Sequence, residues 1–99
     1  MELKDTFQKM TSSDYRDRFI AEYWQTKIRY EKLKDLNNRI EASQQVSGHY
    51  CSILERLPSE PKHDCPTDML KHQQHIMGEY LHILEVRAVI EGIDLTKGV

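Results

Sequence analysis

The chain has 99 residues, a formal net charge of −2, and 30% charged against 38% apolar side chains. That length supports one small domain, and the acidic balance excludes a protein that coats DNA or RNA through a general basic surface. No apolar run approaches the ~20 residues that cross a bilayer, so no membrane partner is expected. The leading MELKDTFQKM lacks the apolar core of a signal peptide. The chain therefore reads as cytoplasmic, with Cys51 and Cys65 as reduced thiols.

In chain order, residues 1–10 place Leu3, Phe7 and Met10 at i, i+4, i+7, the spacing of a short amphipathic turn. Thr11 and Asp14 then fit a capping box. A long helix is predicted over about 12–44, a stretch without Gly or Pro. Phe19, Tyr23, Thr26, Tyr30, Leu33, Asn37 and Ile40 recur along it at steps of three and four, a coiled-coil-like seam with Thr26 and Asn37 as weak points. Ile20, Trp24 and Ile28 form a second stripe beside it, expected to meet another chain.

The connection, about 45–66, contains Gly48, a short predicted helix over 49–57 and a loop bounded by Pro58 and Pro66. A second long helix is predicted over about 67–91, opened by Pro66 or Thr67 and closed by Gly92. From Tyr80 onward most of its circumference is apolar, more than a two-helix hairpin buries alone. The predicted fold is therefore all-α: one helical-hairpin domain of two long antiparallel helices, assembling into an oligomer through helix packing.

The stretch Tyr15–Lys34 concentrates the chemistry. It holds five of the eight aromatic residues and six cations against three acids. Aromatic rings stack on nucleobases, and guanidinium or ammonium groups pair with phosphate. Tyr15 and Arg18 sit near the positive end of the first long helix, while Arg29 and Lys32 lie further along. Fourteen residues at ~1.5 Å rise put Tyr15 about 21 Å from Arg29 along one helix. The expected site is therefore an interface between two copies, with Tyr15 of one near Arg29 or Lys32 of the other.

His49-x-Cys51 and His63-x-Cys65 offer four zinc-type donors at spacings that are not those of zinc sites. His72, His75 and His82 lie on the second helix without an H-E-x-x-H pattern. Both sets are read as surface histidines and free thiols, and no metal or cofactor is expected. There is no phosphate-cradling glycine loop and no G-x-S-x-G, so no enzyme activity is expected. Glu85 and Arg87 are read as an interhelical ion pair.

These residues carry a resemblance. Tyr15, Arg18, Glu22, Arg29, Lys32 and Leu33 in the first long helix match a pattern in a known family. In the second they are joined by Leu70, Gln74 (or Gln73), Met77, Tyr80, Leu84 (or Ile83) and Arg87. The chain resembles the helical-hairpin phage proteins that block CBASS and Thoeris antiviral systems by sequestering cyclic nucleotide signals without cleaving them. The resemblance implies a phage or prophage protein that forms a homo-oligomer, often a hexamer, with pockets between protomers. It implies that Tyr15 stacks on a base and that Arg29, standing where the pattern has Lys, contacts phosphate, with Lys32 as its alternate. Arg18 and Arg87 become candidates for a second site. Thr26 and Leu36 depart from the usual Leu and Phe. The alternative reading of the same exposed stripes is a helical protein-interaction module or an inhibitor of a host protein.

Overall fold

The computed structural model describes residues 1–46 and 59–99. Among them all regular elements are helical: a 3-10 turn (Leu3–Thr6), α1 (Phe7–Met10), α2 (Tyr15–Val46) and α3 (Thr67–Glu91). The helix expected over 49–57, and with it His49 and Cys51, lies outside the described residues. Tyr15 meets Glu91 and Arg87 at one end, while Asn37 meets Leu70 and Gln74 further along. The two long helices are therefore antiparallel, and the predicted hairpin is the observed fold.

The start of α2 differs from the sequence expectation. Thr11 does not cap it; its hydroxyl donates to the carbonyls of Phe7 and Gln8 and closes α1 instead. The cap is Asp14, whose Oδ1 accepts the Arg16 N–H at 3.0 Å and whose carbonyl accepts the Arg18 N–H. Nor does the N-terminal segment face inward through Phe7, which is 68% exposed. Its buried residue is Thr6, whose hydroxyl donates to the Leu3 carbonyl. Lys9 and Ser12 tie this segment to Asp17 on α2 at 3.2 and 2.9 Å.

Burial follows the helical period of α2. Phe19, Tyr23, Thr26, Asn37 and Ile40 are buried, with Tyr30 and Leu33 half-buried beside them. Leu81, Leu84 and Ala88 of α3 meet this seam. Asn37 becomes a register pin: its Nδ2 donates to the Leu70 carbonyl at 3.2 Å and to Gln74 Oε1 at 2.8 Å. At the other end Gly92 adopts φ 67°, the left-handed turn glycine reaches without a Cβ penalty. The Gly92 and Ile93 N–H groups then donate to the Val89 and Ala88 carbonyls, a Schellman closure with Ile93 buried against Ala88.

That turn sends the C-terminal segment back across α2. Ile93 and Leu95 join the core with Ile20 and Trp24, and the Trp24 indole N–H donates to the Leu95 carbonyl at 3.0 Å. The second stripe of α2 is thus covered by the chain's own C-terminal segment at Ile20 and Trp24, where another chain was expected.

The radius of gyration is 17.8 Å, against ~13 Å for a compact domain of this length. An elongated hairpin leaves much of α3 uncovered. Met69, Ile76, Ile83 and Ile90, at strict seven-residue spacing, are 50–77% exposed. They form one stripe down the outer face of α3.

Two expectations follow. Leu84 is fully buried, so Leu84→Ala should lower unfolding free energy by about 2–5 kcal/mol in urea denaturation. The exposed control Lys34→Ala should change it by less than about 0.5 kcal/mol. The Ser12 hydroxyl, then Lys9, holds the Asp17 carboxyl below its usual 3.8. A depressed carboxylate stabilises above the unfolded value and loses that contribution as pH falls through the folded one. Acidification below about pH 3.8 should therefore loosen residues 1–12 in amide exchange, and Asp17→Asn should remove that pH step.

Candidate functional site

One edge of the α2–α3 seam opens into a groove of about 470 Å³. Its α2 wall carries Tyr15, Arg18, Phe19, Glu22, Gln25, Thr26 and Arg29, all on one helical face. The α3 wall supplies Tyr80 and Arg87, seven residues apart, and Met10 closes the rim. The lining holds three guanidinium groups against one carboxylate, so a chain of net charge −2 presents a locally positive groove.

The end nearest Gly92 is braced. The Tyr15 hydroxyl donates to Glu91 Oε1 at 2.9 Å and accepts from Arg87 Nη2 at 2.7 Å. Arg87 also pairs with Glu91 through Nε at 3.2 Å, and its guanidinium lies 5.0 Å from the Phe19 ring centroid. These contacts hold the Tyr15 ring at the mouth, 45% exposed, beside Phe19 at 6.1 Å between centroids. The Glu91 carboxylate, and then partial burial, push the Tyr15 phenol above its ordinary value. The Tyr80 hydroxyl donates to Glu22, which raises the Tyr80 phenol likewise.

The cations divide by task. Arg16 is committed to the fold: its two terminal nitrogens donate to the Gly92 and Glu91 carbonyls at 3.1 and 3.0 Å, a cation on the negative end of α3. Lys27 pairs with Glu31, and Arg39 with Asp35. Arg18 donates to the Ser12 carbonyl at 2.8 Å. Arg29 is exposed, with a long 3.4 Å contact to the Gln25 carbonyl. Arg18, Arg29 and Arg87 are therefore the guanidinium groups facing the groove.

Of the residues singled out by sequence, Tyr15, Arg18, Arg29 and Arg87 line this one groove. Lys32 is exposed and outside it. Tyr15 and Arg29 thus line a single elongated cleft within one chain, about 21 Å apart along α2. Two residues were missed as site residues: Glu22, on the same face at i+7 from Tyr15, and Tyr80, at i−7 from Arg87. The expected Glu85–Arg87 pair is replaced by Arg87–Glu91 within α3. His75 pairs with Glu79 at 3.2 Å. His63 is spent on the Cys65 carbonyl and Glu60, and Cys65 is a free thiol.

Chemically, the groove combines aromatic surface with guanidinium groups that take phosphate oxygens two at a time. It suits a ligand that carries both flat rings and negative charge. The family model described as Sequestin matches residues 13–90, a span that includes both helical walls. No curated protein and no solved structure matches the chain.

The brace has a spectroscopic consequence. Glu91→Gln should bring the Tyr15 phenol down toward 10.0, because the carboxylate that disfavours phenolate is gone. Titration of Tyr15 by carbon NMR of ring-labelled protein reads this directly.

Proposed function

The chain belongs to the Sequestin family, and we propose that it is a phage protein that binds and sequesters a cyclic nucleotide immune signal without cleaving it. Cyclic oligonucleotides and cyclic ADP-ribose isomers are the ligand classes with the required chemistry. The observation that carries the reading is the groove itself: three guanidinium groups and the rings of Tyr15, Phe19 and Tyr80 line it, within the span that matches the family. In this mechanism Tyr15 stacks on a base. Arg29 and Arg18 take the phosphates, and Arg87 holds Tyr15 in place while facing the ligand. Binding alone silences the pathway, because it lowers the free signal below what the host effector needs.

The groove of one chain is open, and a tight sequestering protein benefits from enclosure. The exposed stripe Met69, Ile76, Ile83 and Ile90 lies on α3 beside the Tyr80–Arg87 wall. A second copy packed on that stripe would stand over the groove and complete it, in a homo-oligomer working in the host cytoplasm. The same stripe is what favours the other reading, a face that docks a host protein.

The test is a thermal-shift panel of cyclic di- and trinucleotides and cyclic ADP-ribose isomers, with linear mononucleotides as controls. A cyclic ligand at a hundredfold over its Kd adds about 2.7 kcal/mol, a rise on the order of 10 °C for a domain of this size. Arg29→Ala should weaken binding roughly 10–100-fold through lost charge-assisted hydrogen bonds. Tyr15→Ala should abolish the rise, and Tyr15→Phe, which keeps the ring, should retain part of it. Ile83→Glu should lower the sedimentation mass and the affinity together. If no cyclic ligand moves the transition and a host protein is retained instead, the sequestration reading falls.

A further inference from the structure

The other edge of the seam carries a second groove, of about 800 Å³, which meets the surfaces of the proposed function only at Ile83. Its α3 wall presents Lys71, His75, Gly78 and His82 at i, i+4, i+7 and i+11. Its α2 wall is Tyr30. Gly78 stands in the middle of α3, where glycine costs roughly 1 kcal/mol relative to alanine. A Cβ at this position would sit 3.4 Å from Tyr30 Cε1 and 3.5 Å from its hydroxyl. These are ordinary van der Waals distances, so the phenol lies alongside α3 at a position where an alanine would also fit. The imidazoles of His75 and His82 then stand about one turn to either side of the ring, and Lys71 about one turn beyond His75.

The charge inventory distinguishes this groove from the first. Among the described residues no carboxylate pairs with Lys71 or His82, while Glu79 is engaged by His75 and Gln74 by Asn37. The groove thus offers one ammonium, two imidazoles, one carboxylate and one ring, against three guanidinium groups and one carboxylate on the opposite edge. Lys71 can pair with one phosphate group, which would take the place of Glu79 on His75, and Tyr30 gives a single stacking surface. Along the helix Lys71 and His75 lie roughly 10 and 4.5 Å from Gly78 (at ~1.5 Å per residue), a separation that the sugar between a base and its phosphate bridges.

We propose that this groove is a second, independent ligand site for a nucleoside monophosphate, with the base on Tyr30 and the phosphate between Lys71 and His75. It does not rest on the sequestration reading, since it shares no residue with the first groove. Two-dimensional NMR of the full chain titrated with adenosine monophosphate tests it, with adenosine and orthophosphate as separate arms. The expected result is saturable shifts at Tyr30, Lys71, His75 and Gly78 that persist unchanged in Arg29→Ala. Lys71→Ala, an exposed substitution that leaves the core intact, should weaken the monophosphate at least tenfold. Both partial ligands should bind at least tenfold more weakly than the whole. Shifts confined to the Tyr15–Arg29 groove would overturn the proposal. So would a Kd unmoved by Lys71→Ala, or adenosine binding as tightly as its monophosphate.

Discussion

Two antiparallel helices share one seam, and every residue off that seam is left to solvent or to another surface. This constraint shapes the whole molecule. The seam itself takes Phe19, Tyr23 and Ile40 from α2 and Leu81, Leu84 and Ala88 from α3. Its two edges are the two grooves, and the outer face of α3 is the exposed isoleucine stripe. Neither groove needs a loop to build it. Each is lined mainly by side chains that fall one helical position outside the core, which is why their spacing in sequence is three, four and seven.

The brace at the Gly92 end shows how the fold positions chemistry. Arg16 and Arg87 lie on facing helices, yet only one is spent wholly on structure. Arg16 closes the carbonyls at the end of α3. Arg87 shares Glu91 with the Tyr15 hydroxyl and keeps a face over Phe19. The acid in this trio disfavours ionisation of the phenol, so Tyr15 stays a neutral ring beside a cation. A neutral ring is the form that stacks on a base without repelling its phosphate.

The parts that were legible in the sequence are those written in helical periodicity. The seam of α2, the apolar excess of α3 and the glycine stop at Gly92 all follow from spacing of three, four and seven. The cap was misread because Thr11 and Asp14 both suit a helix start, and the choice depends on whether residues 7–10 form a turn of their own. The covering of Trp24 was invisible, since it requires the left-handed turn at Gly92 to send Leu95 across α2. Tyr15, Arg18 and Arg29 were visible as one helical face, but their meeting with Tyr80 and Arg87 depends on the register between helices. The approach of Tyr30 to Gly78 depends on that register too, and no single-helix pattern encodes it.

Register returns attention to Asn37. Sliding α3 by one turn would strip this amide of both acceptors in a buried position, where an unmet donor costs roughly 1–3 kcal/mol. Its own Oδ1 already has no partner among the described residues. The side chain therefore acts as a detent between two unlike halves. On the Gly92 side the helices are locked by Phe19, Trp24, Leu84 and Ile93. On the other side, within the described residues, Ile40 and Ser43 are the buried residues of α2. Among the described residues the hairpin is thus fastened most heavily at its Gly92 end, and Asn37 marks where that packing gives way to the sparser far end.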